Sequence, residues 1–156
     1  AAYFYPLQED WIFELSGRGS IMDGLGKKVR VVDRYTLGGE TLRGFETSGV
    51  GPRDRVTGDP LGGLRSYVFT AELTFPLGLP NEFGLKGAIF SDAGSVFHSG
   101  DPKNKVKDHN MLRVSVGAGI RWRSPLGPIK VDVAHAVRKD KKDNKQLVIF
   151  GMTTRF

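Results

Sequence analysis

The chain has no cysteine among its 156 residues. That excludes disulfides and thiolate metal sites and says little about compartment. It has no apolar run near the ~20 residues that a membrane-spanning helix needs, which excludes a helical membrane protein. A transmembrane β-barrel stays open, because its alternating strands average to the slightly polar mean hydropathy found here. Histidine is scarce: His98, His109 and His135 are scattered over two loop edges and a strand, so no metal triad is expected. No phosphate loop, nucleophile elbow or H-E-x-x-H motif occurs. Asp92 and Glu72 have no further residues around them that would make a catalytic carboxylate pair. No catalytic residue, metal or cofactor is therefore assigned.

Charge of one sign is not concentrated either. The net charge is +6, from 23 basic and 17 acidic residues. No basic cluster is interleaved with aromatics as a nucleic-acid-binding sheet requires, so no nucleic-acid partner is expected. The densest basic run, R-K-D-K-K-D-N-K (138–145), is broken by Asp140 and Asp143 and reads as a solvated turn.

What the chain does have is period-two alternation, the mark of a strand. At the C-terminal end, 146–156, one row carries Val148, Phe150, Met152, Thr154 and Phe156. An apolar row ending on an aromatic suits a lipid-facing barrel wall, with the ring at the membrane interface; it equally suits the last strand of a soluble β-sandwich. Similar alternation predicts strands at about 11–22, 64–75, 85–97, 111–123 and 129–137, with a stub at 1–5. The stub, A-A-Y-F-Y, reads as the tail of a strand, so upstream chain is expected. No segment shows helical periodicity.

The connections decide between sandwich and barrel. They alternate between short (6–10, 76–84, 124–128) and long or polar (23–63, 98–110, 138–145), as in outer-membrane barrels, whose periplasmic turns are short and outer loops longer. The rows opposite the apolar ones carry Glu14, Arg18, Glu72, Asp92, Arg113, Arg121 and Arg123, which suits a wet lumen better than a dry core. The expected fold is thus all-β, an antiparallel transmembrane barrel wall against the lipid bilayer. Trp11, Phe13, Tyr67, Phe69, Leu112, Val116 and Trp122 are expected to face outward. The stretch 23–63 is far longer than the ~12–15 residues of an ordinary structureless connection.

Within that loop, L-R-G-F (Leu42, Arg43, Gly44, Phe45), preceded by Gly38-Gly39-Glu40-Thr41, resembles the signature of the long sixth outer loop in BamA-type outer-membrane insertases. F-S-D-A-G (90–94), S-P-L-G-P-I (124–129) and the aromatic-ended last strand resemble further motifs of that family, in family order. The resemblance covers essentially the whole chain and matches the C-terminal part of a sixteen-stranded barrel. It implies that Arg43 folds into the lumen to pair with acidic wall positions matched by Glu72 and Asp92. It implies a closing strand, with Val148, Phe150, Met152 and Phe156, at the barrel seam. It further implies insertion of client β-barrel proteins into the bacterial outer membrane, with client proteins and accessory lipoproteins as partners. A translocation pore of the same superfamily, of the TamA or two-partner-secretion type, is the alternative, and S-P-L-G-P-I-K-V-D closely resembles the TamA type. A passive porin or an outer-membrane enzyme is the alternative from another class.

Overall fold

The structure, a computed structural model, describes residues 1–102, 104–108, 110–141 and 143–152. His109 and Phe156 lie outside the described residues. The strands are β1 (Ala2–Gln8), β2 (Trp11–Ile21), β3 (Arg53–Asp54), β4 (Arg65–Pro76), β5 (Leu85–Phe97), β6 (Val106–Lys107), β7 (Arg113–Ser124), β8 (Gly127–Arg138) and β9 (Val148–Met152). Seven of them form one antiparallel sheet in the order β1-β2-β4-β5-β7-β8-β9. Each wall strand pairs with its successor in the chain, the meander of a barrel wall, while β3 and β6 form a small separate ribbon. Among the described residues no helix is long and apolar enough to cross a membrane, which does not bear on a β-barrel.

Register assigns the faces. Glu14 stands opposite Glu72, Glu72 opposite Phe90, Asp92 opposite Ser115, and Gly119 opposite Asp132. Cross-strand partners share a face, so these residues line one side, the inner one. The alternate residues form the outer row, where Phe69 is 55% exposed, Val116 44% and Trp122 41%. Trp11, Phe13 and Tyr67 belong to this row and are half-buried. Leu112, expected in a strand, lies just before β7. A continuous exposed apolar wall of this kind demands a nonaqueous neighbour, and lipid is the one a barrel wall meets.

Several boundaries differ from the sequence expectation. The strand expected at 1–5 runs on to Gln8, and the turn expected at 6–10 shrinks to Glu9 and Asp10, with Asp10 at φ 66°. Pro6 lies inside β1, opposite Ile12, at a register irregularity between Pro6 and Gln8. A register irregularity tolerates proline because the ladder is locally disrupted there and no bond is needed from its nitrogen. The closing strand starts at Val148 rather than Gln146, because the Gln146 amide donates to the Gly44 carbonyl (3.0 Å) and is held by the long loop.

The segment 138–145 is a solvated turn only in part: Arg138, Lys139, Lys141 and Lys145 are exposed, but one of its acids is drawn inward. Asp143 is buried and takes a two-pronged contact from Arg113, Nε at 2.9 Å and Nη2 at 3.2 Å. The main chain just after it pairs with the long loop: Glu46 N to Asn144 O, 3.0 Å, and Asn144 N to Gly49 O, 3.0 Å.

The buried apolar residues sit where that loop meets the inner wall. Leu37, Leu42, Phe45 and Val50 of the loop pack with Val96 and Ala136 of the wall, and Val68 packs against them. Phe90, Ala134 and Ile149 form a second cluster. Placing Arg on the outer row as Val116→Arg should cost about 2–4 kcal/mol near the bilayer midplane. Arg18→Gln, on the exposed inner row, should stay within about 0.5 kcal/mol. Urea unfolding of the full-length protein in lipid vesicles checks both; a Val116→Arg protein of unchanged stability would mean that the rows are exchanged.

Candidate functional site

The L-R-G-F tetrad lies against the inner wall, and each of its residues has a separate physical task. Leu42 and Phe45 are completely buried in the loop–wall cluster. Gly44 has φ 94°, a conformation that L side chains rarely adopt, and an added Cβ would come within 3.0 Å of Ser115 Cβ. Arg43, between the two anchors, points into a ring of charges.

Arg43 donates from Nε to Asp92 Oδ2 at 2.7 Å and from Nη2 to Asp92 Oδ1 at 2.8 Å, a forked pair. Its backbone amide also reaches Asp92 Oδ2, at 3.1 Å. Nη1 donates to Glu72 Oε2 at 2.7 Å and to Asp132 Oδ2 at 3.3 Å. Arg121 closes the ring from the other side, with Nη1 on Asp132 Oδ1 at 2.6 Å and Nη2 on Glu72 Oε1 at 2.9 Å. The Arg43 guanidinium carbon lies 3.5 Å from the centroid of the Phe90 ring, a cation–π contact. Two guanidiniums therefore face three carboxylates drawn from β4, β5 and β8. Burial works against the Arg43 charge, but the hydrogen bond and charge of Asp92, and then those of Glu72, raise its pKa above the usual arginine value.

Room for this ring comes from small residues on β7. A Cβ at Gly119 would fall 1.9 Å from Asp132 Oδ1, and one at Gly117 would fall 2.5 Å from Phe90 Cζ. A second buried ion pair stands nearer the loop end. There Arg113, besides its fork onto Asp143, donates Nη1 to Ser95 Oγ at 3.1 Å and to the Met111 carbonyl at 3.0 Å. Farther out, Arg34 donates to Asp101 Oδ2 at 2.7 Å, and Lys28 pairs with the same carboxylate.

The entire chain, residues 1–156, matches the Omp85 superfamily domain. It belongs to the Omp85 superfamily. It is 41% identical over 138 residues to the outer membrane protein assembly factor BamA of Neorickettsia risticii, a match spanning 88% of this chain and 18% of that protein. It is 29% identical to the BamA of Neisseria meningitidis serogroup B, over 99% of this chain and 23% of that one. The fold matches the crystal structure of BamA from Haemophilus ducreyi lacking POTRA domains 1–3, with TM-score 0.81 and 23% identity over 96% of this chain and 32% of that one. This Omp85 chain thus spans about a fifth of the length of the two curated relatives.

Of the residues singled out from sequence, the structure brings Arg43, Glu72 and Asp92 into direct contact. Val148, Phe150 and Met152 share the outward row of β9, which stands at one end of the described sheet. Asp132 was missed, and Arg121 was noted only as an inner-face charge. The signal for Asp132 was present: one acid in the inner row of I-K-V-D-V-A, placed like Glu72 in its own strand, with a glycine opposite. Among the described residues no group of three His, Cys, Asp or Glu could hold a metal ion.

Two outcomes follow. Arg43→Ala leaves three buried or half-buried carboxylates short of a counter-charge and should cost about 3–5 kcal/mol. Arg43→Lys keeps the charge without the fork and should fall between; equal stability of all three proteins in vesicle unfolding would contradict the ring. The second concerns Asp101, whose carboxyl is held below the usual range, first by the Arg34 hydrogen bond, with burial opposing and Lys28 assisting. A lowered carboxyl pKa gives stability present above the ordinary value and lost as pH falls through the folded one. A carboxyl-carbon NMR titration of Asp101 should therefore show a midpoint below about 3.9.

Proposed function

We propose that this chain is the C-terminal barrel segment of an outer-membrane assembly factor that folds β-barrel clients and inserts them into the bacterial outer membrane. The observation that carries the reading is the forked contact of Arg43 with Asp92, made by a loop residue folded back onto its own wall. The names of the curated relatives support assembly over translocation, since both are called outer membrane protein assembly factors.

The work in this reading is physical rather than covalent. β9 is an edge strand, and an edge presents unpaired N–H and C=O groups. Lipid cannot satisfy such groups, so a client strand that pairs with them gains hydrogen bonds that it finds nowhere else in the membrane. Val148, Phe150 and Met152 would keep the lipid side of that seam apolar. The latched loop would hold the chain entering β9 in place through Gln146 and Asn144 while clients come and go. Accessory lipoproteins complete the partner set in this reading.

The test uses the full-length protein as the sole copy in depleted cells. Arg43→Ala and Asp92→Asn should lower folded, heat-modifiable client barrels several-fold at matched membrane levels of the protein. Normal client folding with a visibly released loop, scored by protease access at Arg43 to Glu46, would overturn the reading.

A further inference from the structure

We propose that a cavity at the loop end of the wall, between residues 53–58 and 141–144, binds a phosphate-class oxyanion. The cavity has a volume of about 430 Å³ and is lined by Arg53, Arg55, Thr57, Gly58, Lys141 and Asn144, among others. Three cations converge on it, and none of the described lining residues is acidic.

Arg53 carries the inference furthest. It is 6% exposed, and its terminal nitrogens reach the carbonyls of Gly58 and Gly49, each at 2.9 Å. Its Nε is buried with no hydrogen-bond partner. A buried donor left unmade is costly, and a buried guanidinium satisfied by carbonyl dipoles still lacks a counter-charge in those contacts. Two nearby acids are engaged by other groups. Asp54 accepts from the amides of Val56 and Thr57, at 2.7 and 3.0 Å, and Asp143 is engaged by Arg113.

The site is assembled rather than incidental. Gly49 O accepts both from Arg53 Nη2 and from the Asn144 amide, so the arginine and the segment carrying Lys141 are fixed to one point of the loop. The Asp54 turn, closed by Gly58 N to Asp54 O at 3.0 Å, places Thr57 and Gly58 on the rim. Arg55, also in the lining, has its Nε on the Val106 carbonyl at 3.3 Å. Cations approaching from two chain segments suit a ligand with acceptor oxygens on several sides, which a phosphate has and a carboxylate lacks. Thr57 and Asn144 add neutral donors.

A phosphate of this kind could arrive free in solution or on a lipid headgroup of the surrounding leaflet, and the experiment separates the two. The full-length protein in neutral detergent is titrated calorimetrically with inorganic pyrophosphate. In parallel, hydrogen exchange of residues 49–58 is compared in phosphatidylcholine nanodiscs with and without phosphatidic acid. The variant in both arms is Arg55→Gln with Lys141→Gln, two exposed positions, leaving the buried Arg53 intact. Saturable pyrophosphate binding that weakens at least ten-fold in the variant supports a soluble ligand. Protection that needs phosphatidic acid and is lost in the variant supports a headgroup. Absence of both signals, or signals unchanged in the variant, overturns the site.

Discussion

A guanidinium cannot be left buried without compensation, and that constraint on Arg43 organises the rest of this protein. Its counter-charges come from β4, β5 and β8, and Arg121 from β7 completes the ring. Four wall strands are thereby tied to one loop residue. The loop loses much conformational entropy by adopting one path. The forked contact with Asp92, the Phe90 ring and the two apolar anchors on either side offset that loss together. Removing any single carboxylate would leave buried guanidinium N–H groups without an acceptor, so the ring acts as a unit.

The wall is shaped around this contact. β7 presents Ser115, Gly117 and Gly119 on its inner face, and each lies where the loop, the Phe90 ring or the Asp132 carboxylate approaches. The same strand presents Val116, Ala118 and Ile120 outward, all exposed. One strand thus satisfies two solvents: bulk on the side that meets lipid, and absence of bulk on the side that receives the loop.

The loop is also joined to the chain leading into β9. Phe45 and Lys145 form an isolated bridge, and the amides of Glu46, Asn144 and Gln146 complete a ladder between the two loops. Arg113 and Asp143 anchor the far side of that ladder to β7. Position of the tetrad and position of the edge strand are therefore mechanically linked, through backbone hydrogen bonds rather than through the charged ring alone.

Period-two alternation by itself determined the wall. Strand parity follows from local geometry and from which side chains tolerate lipid, so the outward row of β4, the polar row of β7 and the two-ended sorting of loops could be read from residue order. The tetrad and two of its acids, Glu72 and Asp92, were legible because a motif in one chain segment implied partners in others. Asp132 and the roles of Arg121 and Asp143 were decided only by tertiary structure. Each of them sits in an unremarkable sequence context, and each matters because register and loop docking bring it to a charge distant in the chain. The basic run at 138–145 shows the same limit: its composition matched a solvated turn, yet the burial of Asp143 depends on Arg113, thirty residues earlier. Charge pairing acts through space, and alternation acts along the chain; the first needs the fold to be known, and the second does not.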